Sequence, residues 1–300
     1  MRQETEDPGF VELGRLIGAC RRKNDITENE LYHGICSRAK GRRLEQGQNA
    51  IDEWQLQLIL SRLHIQPYLC DCSLSGMQFR LRELRLGIER HLRAGNEDSA
   101  RWELERYSQL AQERPNHSQR QYILWKEAQL EEWRFFRAVP PVEPESRISE
   151  QFLEALSFSV SAQELERRLT KTAAVAVEEL EMYFGYRMHA HDLSLEQCKR
   201  LLAFLEEKVL FSDVVSDCYV GVGRYAIGLL VGQAHESEAE QLCRRLIEAL
   251  KRYGIGFGLS GLLVLLAGFV KTRDVPEAGR LARQAGYLRA ALGEQENPRR

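Results

Sequence analysis

An excess of charge of either sign is the first thing this 300-residue sequence lacks: 42 lysines and arginines stand against 44 acidic residues, for a formal charge of −2. That balance excludes a protein that coats nucleic acid along its whole length, so any phosphate contact must come from a local basic surface. No disulfide framework is legible. The seven cysteines (Cys20, Cys36, Cys70, Cys72, Cys198, Cys218, Cys243) are odd in number and irregular in spacing, which in a chain this large reads as reduced thiols in a cytosol. Residues 1–8 hold Glu4, Glu6 and Asp7 and lack the basic-then-apolar order of a secretory signal. A cytoplasmic location is the expectation.

Catalytic signatures are missing as well. There is no Gly-x-Gly-x-x-Gly after a strand, no phosphate loop and no Gly-x-Ser-x-Gly elbow, so neither an enzyme nor a cofactor is expected. His189-x-His191-Asp192 has no second ligand cluster and reads as surface polar groups at a helix end, with no metal. Cys70-x-Cys72 is likewise short of two partners and reads as a pair of buried or junction thiols. The acidic pairs Glu131-Glu132, Glu178-Glu179 and Glu206-Glu207 read as solvated helix surfaces. One uncharged run, Tyr253 to Val270, approaches the length of a membrane span. Its glycines dilute it, and Leu259, Leu262, Leu263, Leu266 and Phe269 recur at helical spacing, so a helix buried among other helices is expected and no membrane partner.

What is present is helical pattern. An apolar fraction of 43% supplies a continuous core, and the length suits two domains or one small domain followed by a repeat array. Phe10, Leu13, Ile17 and Cys20 form a stripe closed by Arg21-Arg22-Lys23, which suits the negative pole of a helix. Thr27 with Glu30 three residues on is a capping box for a second helix that stops near Gly34. Ser37 caps a third, which ends before Gly47, and Asp52 caps a fourth with Leu56, Ile59, Leu60 and Leu63 on one face. Short helices with tight turns in one small unit describe the helix-turn-helix class.

From Leu13 to Ile65 the sequence resembles the N-terminal domain of phage-repressor-like (XRE-like) regulators, in particular the Rgg and PlcR type of peptide-sensing transcriptional regulators of Gram-positive bacteria. The residues that carry the resemblance are Leu13-Gly14, Arg21, Ile26-Thr27, Glu30-Leu31, Gly34-Ile35-Cys36-Ser37, Arg43-Leu44-Glu45-x-Gly47 and Leu60-x-Arg62-Leu63. The resemblance implies that the helix beginning at Ser37 enters the major groove and that Glu45 pairs with Arg21. Thr27, Ser37, Arg38, Lys40, Arg42 and Arg43 are then the expected DNA contacts. Three positions depart from the pattern: Gly41 stands where an apolar residue pins the recognition helix, Glu28 places a carboxylate where phosphate would approach, and Gly18 replaces an arginine. Gly41 is expected to loosen that helix by about 1 kcal/mol relative to alanine.

Beyond Pro67 helical stripes succeed one another with almost no strand-like alternation. Leu81, Leu84, Ile88 and Leu92 form one; Gly95-Asn96 breaks it; Ala100, Leu104 and Tyr107 form the next. Such a pair resembles a tetratricopeptide repeat, in which small residues let helices approach closely. Pro140, Pro141 and Pro144 mark a non-helical connection, and eight further helices are expected between Ser149 and Leu292, one of them over Ala162–Val177. The expected fold is all-α, a helix-turn-helix domain over 1–68 followed by a tetratricopeptide-like helical-hairpin solenoid over 69–300. Regulators of this layout dimerise through the array and hold short signalling peptides in its concave face, so double-stranded DNA, a second copy and a signalling peptide are the partners implied, with quorum sensing the setting. Such grooves use asparagine to clamp a peptide backbone, yet after residue 96 only Asn116 and Asn297 remain. Gln233, Gln241, Arg187, Arg224 and Tyr225 are the candidate substitutes. A scaffold whose helix-turn-helix has lost DNA binding is the alternative.

Overall fold

The computed structural model describes residues 8–48, 51–65, 76–112, 117–137, 145–171, 174–208, 213–256 and 258–292. Among them every regular element is an α-helix. The first four, α1 (Pro8–Lys23), α2 (Glu28–Tyr32), α3 (Arg38–Glu45) and α4 (Glu53–Arg62), start where the sequence supplies caps. Thr27 Oγ1 accepts from the Glu30 backbone while the Glu30 carboxylate receives the Thr27 N–H, Ser37 accepts from the Lys40 N–H, and Asp52 forms a capping box with Gln55. Leu13, Ile17, Leu31, Leu44 and Ile59, at helical spacing, close the core between them.

Eleven helices follow: α5 (Gly76–Ala94), α6 (Glu97–Gln112), α7 (His117–Arg137), α8 (Glu145–Ser157), α9 (Ala162–Lys171), α10 (Val177–His189), α11 (Leu195–Lys208), α12 (Asp213–Gly232), α13 (Glu236–Arg252), α14 (Leu259–Val270) and α15 (Val275–Leu292). They pack as successive hairpins, α5 on α6, α7 on α8, α12 on α13 and α14 on α15, with α10 bridging α8 and α12. Asn96 caps α6 by accepting the Ser99 N–H at 3.2 Å. The sequence-expected boundary at 68/69, the Cys70-x-Cys72 pair and the prolines at 140, 141 and 144 lie outside the described residues.

One expectation holds and three change. The uncharged run ends as the 12-residue α14, cut short by turns at Gly254 and Gly258, with Leu259, Leu262, Leu263 and Leu266 buried. Among the described residues no helix is long and apolar enough to cross a membrane. A helix expected to run from Ala162 to Val177 instead stops at Lys171, because Arg168 donates to the Ala174 carbonyl and Glu179 accepts the Ala176 N–H to start α10. Nor are the acidic pairs and His189 all surface groups. Glu132 (2% exposed) bonds His189 (2%) at 2.9 Å, while Glu178 and Glu179 are 3% and 0% exposed; a run of charge says nothing of the partner that folding brings to it.

Candidate nucleic-acid interface and ligand groove

Helix α3 is anchored at its C-terminal end by a three-way contact. Arg21 Nε and Nη2 donate to the two Glu45 oxygens at 2.6 and 3.0 Å, and the Tyr32 hydroxyl donates to Glu45 Oε1 at 2.7 Å. Burial opposes the charge on Glu45, yet Arg21 and Tyr32 hold its carboxyl below the ordinary carboxylate value. Gly18 makes room for this: a Cβ there would meet Glu45 Oε2 at 2.9 Å. Gly41 does not loosen the helix by leaving a gap. A Cβ on it would lie 2.4 Å from the Tyr32 ring, so the aromatic side chain occupies the space that a pinning side chain on α3 would otherwise fill.

The outward face of α3 carries the cations. Arg38 and Arg43 are exposed and make no ion pair among the described residues. Lys40 reaches back to Gln55 Oε1 at 2.9 Å, and Arg42 Nε is held by both Glu28 oxygens at 3.0 and 2.9 Å. Glu28 thus meets an arginine, whose hydrogen bond lowers its pKa. Thr27 is exposed, and its hydroxyl donates to Glu30 at 2.7 Å. The exposed Ser37 remains at the cap. Thr27, Ser37, Arg38, Lys40, Arg42 and Arg43 are therefore gathered on the edge of α2 and along α3, but two of the four cations are already engaged.

A buried arginine joins this unit to the array. Arg62, on the last turn of α4, is 0% exposed. Its Nη1 donates to the carbonyls of Glu30, Leu31 and His33 at 3.2, 2.8 and 2.9 Å, taking up the free C-terminal carbonyls of α2. Nε and Nη2 pair with Glu179 of α10, and Nη2 also reaches the Ser159 carbonyl at 3.3 Å. Gly34, in the turn before α3, faces the same carbonyl; its φ of +78° suits glycine, and a Cβ would lie 1.9 Å from Ser159 O. No sequence spacing announces this pair, because its members lie 117 residues apart.

Between α4, α5, α7, α10, α12 and α14 lies a groove of about 1180 Å3, above the ~300–1,000 Å3 of ordinary small-molecule sites. Its wall is aromatic, with Trp54, Trp125, Trp133 and Phe184 among the lining residues. Arg224 and Tyr225 line it, as the sequence reading had singled out, with Tyr225 edge-on to Phe184 at 6.1 Å. Arg187 does not; Glu166 and Asp192 hold its guanidinium at 3.1 and 2.7 Å, away from the groove. Asn116 and Asn297 lie outside the described residues. Sequence reasoning missed Trp54, Trp125 and Glu178; the concentration of aromatic side chains in α7 was a signal for Trp125 alone.

Fold and site together define an all-α architecture in which a phage-repressor-like helix-turn-helix is followed by a tetratricopeptide-like helical array that encloses a groove. The same architecture is found in Bacillus thuringiensis PlcR, solved in complex with the peptide PapR7 and DNA, at 14% identity over 94% of this chain and 95% of that one, with a TM-score of 0.51. It is found too in apo ComR from S. thermophilus, at 12% identity over 94% of each chain, with a TM-score of 0.51. No family model matches the sequence, and no curated protein does.

Proposed function

We propose that this chain is a sequence-specific, DNA-binding transcriptional regulator whose DNA affinity is set by a ligand, in the first instance a peptide, bound in the groove of the array. It acts as a non-enzymatic, cytoplasmic homodimer, with residues 1–68 reading DNA and residues 69–300 binding ligand and dimerising. The observation that carries the reading is the exposed α3 face, with Arg38 and Arg43 in no ion pair among the described residues, presented by a helix-turn-helix whose α4 also lines the groove. PlcR, with the same fold, is seen holding both a peptide and DNA. In a dimer, two such helices would meet major-groove segments about 34 Å apart. An arginine reaching guanine contributes roughly 1–3 kcal/mol of base discrimination.

One observation favours the scaffold alternative: Arg42 is neutralised by Glu28, a carboxylate at the edge where phosphate would approach. Selection of bound sequences from random duplexes, with the salt dependence of affinity, separates the two. A two-fold symmetric consensus and a steep salt slope support the regulator; weak, sequence-independent binding sinks it.

A further inference from the structure

The groove is lined by five acids and five arginines, but the two signs are not matched one to one. Glu89 is paired with Lys126 at 2.5 Å and Asp217 with Arg93 at 3.4 Å. Glu178 and Glu181, one turn apart on the same face of α10, have no ion pair among the described residues. Glu178 accepts from Gln57 Nε2 at 2.9 Å through Oε1, but its Oε2 has no hydrogen-bond partner among the described residues although Glu178 is only 3% exposed. Burial raises the pKa of both carboxyls, and for Glu181 the neighbouring Asp217, Glu89 and Glu178 push the same way against Lys126. Both side chains line the groove.

The unmet hydrogen-bonding capacity beside them is of a second kind. Trp54 Nε1, Trp125 Nε1 and the Tyr122 hydroxyl line the same groove, are buried, and have no hydrogen-bond partner among the described residues. Indole N–H groups only donate, so they call for carbonyl oxygens. The aromatic faces also accept cations here: Lys126 Nζ sits 3.4 Å from the Trp125 ring centroid. Among the described residues no three histidine, cysteine or acidic side chains converge to hold a metal ion.

We propose that the groove takes an apolar peptide bearing a primary ammonium group, either a lysine side chain or a free amino terminus, that seats between Glu178 and Glu181 while its backbone carbonyls accept from Trp54 and Trp125. This rests on the groove being the ligand site, and it adds the charge and chemistry of the ligand. The ammonium supplies the three donors that the two carboxylates lack, and the carbonyls satisfy the indoles.

The test uses the full-length protein and three pools of heptapeptides with Leu, Ile, Val, Phe and Tyr mixed at six positions. One pool is N-acetylated with lysine fixed at the centre, one is N-acetylated with norleucine there, and one has norleucine and a free amino terminus. Binding is read by quenching of tryptophan fluorescence and by calorimetry. The lysine pool, the free-terminus pool or both should bind at least about tenfold more tightly than acetylated norleucine, the order of one charge-assisted hydrogen bond. In Glu178→Gln/Glu181→Gln that ratio should fall towards one, and Glu181→Gln alone should lower it. Equal binding of all pools by the wild-type protein overturns the cationic-ligand proposal and leaves the peptide groove standing. Binding of none overturns both.

Discussion

Replacing Arg62 by methionine keeps an unbranched side chain on α4 but removes the guanidinium that joins α2, α4 and α10. The loss comprises the pairing to Glu179, at 3.2 and 2.5 Å, and four contacts to carbonyls of Glu30, Leu31, His33 and Ser159. What remains is a carboxylate at 0% exposure, held by the Ala176 N–H at 3.0 Å and by the more distant charge of Arg168. Removing one partner of a buried pair costs about 3–5 kcal/mol, chiefly because the other charge stays buried. Glu179→Gln leaves a buried guanidinium instead and should cost about as much. The two variants diverge with pH. In the wild-type protein, burial would raise the Glu179 pKa, but Arg62 holds it below 4.5, so its stabilisation is complete above that value and is lost as pH falls through the lowered one. Without Arg62 the folded-state pKa rises above the unfolded value, so protonation favours the folded state and the Arg62→Met deficit shrinks on acidification from neutrality to pH 5. The Glu179→Gln deficit stays constant over that window, because arginine does not deprotonate. Urea unfolding followed by far-UV circular dichroism measures both. Deficits under about 1 kcal/mol, or identical pH profiles, would refute the strut.

On the DNA face, Arg38→Ala/Lys40→Ala/Arg43→Ala should abolish duplex binding in an electrophoretic shift while leaving helical circular dichroism intact; retained binding would remove α3 from the mechanism. Gly34→Ala combines a left-handed backbone with a collision against Ser159 O, and should destabilise by about 3 kcal/mol in thermal unfolding. A loss under 1 kcal/mol would show that the turn does not bear on the array. Gly41→Ala should cost about 1–3 kcal/mol by pushing on the Tyr32 ring. Part of that cost should return in Gly41→Ala/Tyr32→Leu relative to Tyr32→Leu alone. Strict additivity would mean that Tyr32 does not fill the space over Gly41.

Local features were the legible ones. Thr27, Ser37 and Asp52 announced three helix starts because a cap is a contact over three residues, and apolar spacing placed most array helices to within a few residues of their ends. Arg21 and Glu45 could be matched only through the resemblance. The misread residues were those whose meaning depends on a distant partner. Glu178-Glu179 has the composition of a solvated surface, and becomes buried only because α10 packs against α4, where Gln57, Ser61 and Arg62 meet it. His189 is buried because Glu132 lies on α7. The groove was illegible for the same reason: Trp54 and Trp125 are ordinary core aromatics in sequence, and their ring centroids, 5.9 Å apart, come together only in the folded chain.

Helix α4 is the element through which a ligand can be felt at α3. Trp54, Leu56 and Gln57 line the groove, while on the same helix Gln55 donates to the Ile35 carbonyl at 2.7 Å and accepts from Lys40 at 2.9 Å. An ammonium seated at Glu178 Oε2 draws on the carboxylate whose Oε1 holds Gln57, so its arrival bears on α4 directly, and α4 in turn holds the turn before α3 at Ile35 and α3 itself at Lys40. Coupling between two such sites commonly amounts to about 5–150-fold in affinity. If the ammonium peptide changes DNA affinity in the wild-type protein, Gln57→Leu should reduce that change to about threefold or less, since it removes the α4–α10 hydrogen bond through which the ligand acts. The measurement is a four-arm titration of duplex affinity, with and without saturating peptide, for both proteins. Coupling of equal size in the two would mean that the signal crosses from the groove to α3 without passing through Gln57, and would make the Arg62–Glu179 pair the next connection to test.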